Sequence, residues 1–150
     1  MKQACERGWS ISTAESCTGG LFAALLTDIE GCSHAFDRGF VVYTEKAKVD
    51  LLGLDAGLLK QEGAVSAEVA IAMAEGAMEH SDADIVLAVT GFAGPAEKDE
   101  EEGRVHFALA RRGGGTRHLF KHFGPRGRET IRQLSLVTLL GLLEEALKDC

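Results

Sequence analysis

The sequence predicts an α/β fold, a three-layer α/β/α arrangement around a mixed, mostly parallel sheet. Three observations carry that expectation. β-Type apolar runs alternate with helical periodicities through the first two thirds of the chain; residues 84–90 form a continuous apolar run, as in a strand covered on both faces; and a hairpin pattern followed by a long helical pattern closes the chain.

Taken in order, residues 1–7 allow at most two turns of helix before residues 9–14, whose weak alternation and β-formers predict a strand. Residues 20–28 read as an amphipathic helix stopped near Gly31. Residues 38–43 are a continuous run with β-branched and aromatic members, the pattern of a strand buried on both faces, and residues 45–52 follow with helical spacing. A connector with a short helical turn around residues 56–60 leads to Ser66, a plausible N-cap with Glu68 in the first turn. The helix it starts carries Val69, Ala70, Met73 and Ala77 on one face, small enough for a close neighbour. The buried strand at 84–90 ends in Thr90-Gly91-Phe92-Ala93-Gly94-Pro95, a junction of the kind that lines clefts in α/β folds. Residues 105–110 and 116–123 flank Arg111-Arg112-Gly113-Gly114-Gly115 as a hairpin, and residues 129–148 form the longest helical pattern.

With 150 residues, 45% of them hydrophobic, the chain fits one domain over 1–150. Sixteen basic residues face 23 acidic ones, and without a basic stripe nucleic acid is excluded as a direct partner. No run of 18 apolar residues and no apolar leader after Met1 occur, so no membrane segment and a cytoplasmic location are expected. Cysteines 5, 17, 32 and 150 show no C-x-x-C pairing, so no zinc or other metal site is signalled and free thiols are expected.

The chemistry concentrates in Thr13-Ala14-Glu15-Ser16-Cys17-Thr18-Gly19-Gly20, between a strand and a helix. Three readings are open: a plain turn with a helix cap, an anion cradle, or a serine nucleophile. Ser16 as nucleophile needs an oxyanion site, which backbone N–H groups of residues 17–20 can supply, and a base from elsewhere. The histidines do not nominate one: His118 and His122 share a strand face but read most simply as solvated hairpin residues. A lysine partly desolvated after the strand at 38–43 can act as the base, since desolvation favours the neutral amine. Spacing alone does not rank Lys46 against Lys48.

The stretch at 13–20, then Gly39-Phe40-Val41-Val42-Tyr43 with Ala47-Lys48, then Gly63-Ala64-Val65-Ser66, then Thr90-Gly91-Phe92-Ala93-Gly94-Pro95, closely resembles the CinA C-terminal domain family, the nicotinamide-nucleotide amidases, in order and spacing over nearly the whole chain. The resemblance implies hydrolysis of the carboxamide of nicotinamide mononucleotide to nicotinate mononucleotide and ammonia, with no metal or organic cofactor. It places the serine on Ser16, the lysine on Lys48 and an active-site tyrosine on Tyr43, whose bland reading is a core aromatic. Thr18, Gly19 and Gly20 are then oxyanion or substrate-binding positions, Thr90 and Gly91 line the substrate, and Arg128 is the candidate for its phosphate, against the reading of a surface arginine.

Two departures stand out. Residues 96–103 are shorter and more acidic than the family's loop, and residues 97–102 carry five acids and one base. A like charge at about 5 Å and an effective dielectric constant near 20 costs an anionic substrate roughly 3 kcal/mol before screening, so the loop must point away or the substrate differs. The short segment before the first strand predicts an apolar patch that a second subunit would cover, hence a homo-oligomer. An idle nucleotide-binding or protein-interaction module, and an amidohydrolase for another small amide, are the alternatives.

Overall fold

The computed structural model describes residues 1–95 and 101–148. Among these residues five strands, β1 (Ile11–Glu15), β2 (Phe36–Val41), β3 (Ile85–Gly91), β4 (Arg104–Arg111) and β5 (Thr116–His122), form one sheet in the order β2-β1-β3-β4-β5. β1 pairs in parallel with β2 and β3, while β3–β4 and β4–β5 are antiparallel, so β4 alone runs against the other four. Among the described residues six α-helices cover both faces: α1 (Lys2–Glu6), α2 (Leu21–Thr27), α3 (Glu45–Leu52), α4 (Ala56–Glu62), α5 (Ala67–Glu79) and α6 (Arg128–Lys148).

Alternation along the strands sorts the core into two layers. Ile11, Leu87, Val89, Val105 and Phe107 pack with Phe22 of α2 and Ile131 and Leu139 of α6, and Ala4 of α1 joins them. Ala14, Val86, Ala88 and Ala108 pack on the other face with Leu52, Leu59, Val69 and Met73 from α3, α4 and α5. The small residues of α5 have the function their pattern suggests. A Cβ on Gly76 would stand 2.2 Å from the Leu52 carbonyl oxygen, so α3 crosses α5 at backbone contact. Ser66 caps α5 by accepting the Val69 N–H at 3.2 Å.

One expectation fails. The run at 38–43 forms no doubly covered strand: β2 starts at Phe36, ends at Val41 and lies at the sheet edge with most of its residues exposed. An apolar run records what a strand can cover, and Gly39 leaves room for Thr13 and Ala23 against an edge that needs only one neighbour. Tyr43 lies beyond the strand, 63% exposed, and is no core aromatic. The strand at 84–90 does match: β3 is buried along all but its last residue. Among the described residues no helix is long and apolar enough to cross a membrane.

The connections set the position of the cleft. β1 leads through α2 to β2 on one side, and the chain returns past β1 through α3, α4 and α5 to β3 before moving on to β4. The path from β1 therefore diverges from that of β3, and such a divergence opens a crevice beyond the carboxyl ends of the two strands.

Candidate active site

Ser16 follows β1 and stays in register with the sheet, its N–H donating to the Val89 carbonyl at 3.1 Å. The next turn of β2 is fastened beside it, because the Val42 N–H donates to the Glu15 carbonyl at 2.8 Å. From this frame the two parts of the pair converge. Thr44 caps α3 by accepting the Ala47 N–H, which starts the helix so that Lys48 and Leu52, four apart, face inward. The Lys48 Nζ then lies 3.1 Å from Ser16 Oγ and donates to the Val42 carbonyl at 2.9 Å.

Lys48 is 1% exposed and Ser16 7%. Burial pushes the Lys48 pKa below its ordinary 10.5, with nearby Cys17 and Glu45 opposing weakly. One Nζ hydrogen is anchored on Val42, so a neutral amine can present its lone pair to the serine proton. Lys46, two residues away, pairs with Asp50 in solvent. The lysine choice left open by spacing is made by the face of α3 that packs inward.

Glu15 explains the rigidity of the turn. Its buried carboxylate accepts the Thr18 hydroxyl at 2.6 Å, the Phe22 N–H at 3.0 Å and the Ala23 N–H at 2.8 Å. Those last two amides are the free donors at the start of α2, which has Gly20 at its N-cap and no side-chain cap bond there. A protein carboxylate thus occupies the helix end that an anion cradle would have used, and the cradle reading of this helix end is overturned. The Gly19 N–H closes the turn on the Ser16 carbonyl at 3.1 Å, and Gly19 and Gly20 take positive φ angles of 59° and 93°. Thr18, fully buried, gives its hydroxyl to Glu15, and neither it nor the two glycines line the cavity.

A cavity of about 290 Å³ opens over the pair, walled by Tyr43, Val65, Thr90, the junction 91–95 and Arg128. Thr90 donates to the Ala64 carbonyl at 2.7 Å, tying the segment before α5 to the end of β3. Gly91 is forced by space, since a Cβ there would meet Val105 at 2.8 Å. Arg128, the first residue of α6, donates to the Tyr43 hydroxyl at 3.3 Å across the mouth. Tyr43 therefore meets Arg128 at the rim rather than the serine and lysine at the floor. Cys17 lines the cavity, but burial pushes its thiol up to about 12, which keeps it protonated and a poor nucleophile.

Arg132 contributes without having been nominated for a role. Its guanidinium donates to the Thr18 carbonyl at 3.1 Å and so clamps the serine turn to α6. The available signal was its spacing four residues after Arg128, which puts both on one helix face. His106, also overlooked, is buried beside His118, with its Nδ1 2.9 Å from the partner's Nε2, and burial lowers it to about 4. Among the described residues no cluster of three or more metal-ligating side chains exists.

The CinA C-terminal domain model matches residues 1–147. The chain belongs to that family. It is 47% identical to a CinA-like protein of Geotalea daltonii, covering 93% of this chain and 34% of that one, and 44% identical to the CinA-like protein of Geobacter sulfurreducens over 95% and 34%. The chain thus spans about a third of the length of these relatives. The crystal structure of the competence/damage inducible protein CihA from Agrobacterium tumefaciens superposes with a TM-score of 0.93 at 44% identity, covering 98% of this chain and 90% of that one. The competence damage-inducible protein A from Klebsiella pneumoniae gives 0.91 at 34% identity, over 98% and 91%.

Proposed function

We propose that this CinA-family chain is an amidohydrolase that cleaves the carboxamide of nicotinamide mononucleotide to nicotinate mononucleotide and ammonia through Ser16 and Lys48. The observation that carries the reading is the 3.1 Å approach of a buried lysine amine to a buried serine hydroxyl at the floor of an open cavity. A solvated serine or lysine would need neither partner. Neutral Lys48 takes the hydroxyl proton, Ser16 attacks the carboxamide carbon, and ammonia leaves with a proton returned by the lysine. Water then clears the acyl-enzyme by the same base. The N–H group of Cys17, which lines the cavity, is the oxyanion donor in this scheme, since Thr18 lies off the cavity and the Gly19 N–H is bonded to Ser16.

Arg128 takes the phosphate by charge-assisted hydrogen bonds, and Tyr43 orients it at the rim. Thr90 and Gly91 shape the wall against the ring. The acidic segment 96–103 is the obstacle to an anionic substrate, and residues 96–100 lie outside the described part. Of its described carboxylates, Glu101 pairs with His122 at 3.3 Å and Glu102 accepts the Gly127 N–H at 3.0 Å, so both are engaged by the protein's own donors.

The test is ammonia release from nicotinamide mononucleotide by wild type, Ser16→Ala and Lys48→Met. Turnover in wild type and its loss in both variants is the expected result. Turnover retained in both removes the mechanism, and tight binding of the nucleotide without turnover in wild type converts the reading to a binding module.

A further inference from the structure

The turn that carries Ser16 holds a series of hydrogen bonds that the amide chemistry leaves unexplained. Arg132 of α6 donates from Nη2 to the Thr18 carbonyl at 3.1 Å. That carbonyl shares its peptide unit with the Gly19 N–H, which donates to the Ser16 carbonyl at 3.1 Å. The Ser16 carbonyl in turn shares its peptide unit with the Cys17 N–H. The groups therefore run from a guanidinium through two peptide units to the N–H of a residue that lines the cavity. Gly19 takes a φ of 59° and leaves room for the guanidinium, since a Cβ there would stand 3.4 Å from Nη2. Among the described residues no carboxylate pairs with Arg132, its Nε is buried without a partner, and no backbone carbonyl takes the Cys17 N–H.

We infer that Arg132 is a positioning residue for the oxyanion site: its charge, passed along these two peptide units, strengthens the Cys17 N–H as donor to the oxygen that becomes negative when Ser16 attacks. The inference rests on Ser16 as the nucleophile of the proposed function. A hydrogen bond accepted by a peptide carbonyl draws electron density from that unit and makes its N–H a better donor, so bonds in series reinforce one another. A charged donor at the head of the series has the largest effect, and Arg132 is half-buried, where water screens it less. The gain is differential. The carbonyl oxygen of a bound substrate is neutral and that of the tetrahedral intermediate is charged, so a stronger donor favours the transition state over the bound substrate. Arg132 lies off the cavity and acts only through the turn, whereas Arg128, one helical turn earlier, lines the cavity itself.

The experiment reads acylation of Ser16 in the full chain by p-nitrophenyl acetate and by its thiono analogue, in which sulfur replaces the carbonyl oxygen and accepts hydrogen bonds weakly. Ser16 Oγ bonds to the acyl carbon, the bond to nitrophenolate breaks, and the serine proton passes to Lys48. Nitrophenolate release gives the rate, and the mass of the fragment carrying Ser16 gives the place. In wild type the oxygen ester is expected to react at least about 10²-fold faster than the thiono ester. Arg132→Met lowers the oxygen-ester rate about ten-fold and leaves the thiono rate within about two-fold, so the ratio falls while the pH dependence set by Lys48 stays as it was. Arg132→Gln, which keeps an uncharged donor, gives the same fall. A turn merely loosened by the substitution slows both esters alike; that result, or no adduct on Ser16 in wild type, overturns the inference. Ammonia release from nicotinamide mononucleotide is followed in the same samples. A falling ester ratio without that turnover removes the proposed substrate and leaves the role of Arg132 standing, whereas turnover with an unchanged ratio removes the role and leaves the amidase.

Discussion

The chain leaves β1 and β3 through two glycine-rich junctions that lie side by side, residues 16–20 and residues 91–95, and they are finished differently. The first is closed by its own residues. Glu15 takes one donor from it and two from the start of α2, Gly19 bonds back to Ser16, and Arg132 holds the Thr18 carbonyl from α6. The second is fastened at Phe92, whose N–H donates to the Arg104 carbonyl and whose own carbonyl accepts the Gly103 N–H, and otherwise faces the cavity. A nucleophile gains from the first kind of junction, which fixes an oxygen against a base, and a substrate wall from the second, which leaves space.

Substitutions break the comparison in a graded way. Lys48→Met removes the base and lowers kcat/KM for the proposed amide hydrolysis by at least about 10³-fold, within the usual range for positioned bases, as read by initial rates. The same variant has a second signature. Because the folded pKa of Lys48 is depressed, the unfolded chain binds the extra proton between that pKa and 10.5, so wild-type stability rises with pH across this window. Lys48→Met loses that rise and melts no lower than wild type at neutral pH. Wild-type activity falls as pH drops through the depressed pKa, since protonated Lys48 accepts no proton.

Glu15→Ala opens the closed junction. It orphans two α2 amides and the Thr18 hydroxyl and costs roughly 3 kcal/mol, which for a chain of this size is about 6–12 °C in Tm by calorimetry. The open junction responds in affinity instead. A Cβ at Gly94 would stand 3.4 Å from the Arg128 guanidinium, so Gly94→Ala is expected to raise KM about 3–10-fold with kcat nearly unchanged, the pattern of lost uniform binding. Lys46→Met, two residues from the base but in solvent, changes neither rate nor Tm beyond about 0.5 kcal/mol.

Much of the architecture was legible from periodicity, because helices such as α5 and strands such as β3 carry their burial in their own residues. β2 was misplaced for the converse reason: which strand ends a sheet depends on pairing between distant segments, and Phe40 and Val41 look the same in the centre or at the edge. At the site, Ser16 was visible as a hydroxyl on a strand-to-helix turn. Spacing did not rank Lys48 against Lys46; the resemblance pointed to Lys48, and the inward face of α3 supplies the physical difference between them. The part played by Glu15, which closes the start of α2 to an anion, needed three-dimensional contacts. Arg132 acts on Thr18 across 114 residues, a distance that no local pattern spans.

The measurement that tests the Ser16–Lys48 pair most directly is rapid quenching of wild type during turnover of nicotinamide mononucleotide, with mass spectrometry of the fragment carrying Ser16. A nicotinoyl ester on Ser16, absent from Ser16→Ala and not formed by Lys48→Met, is the predicted result. Ammonia release at wild-type rate by Ser16→Ala, with no adduct on any fragment, would contradict it.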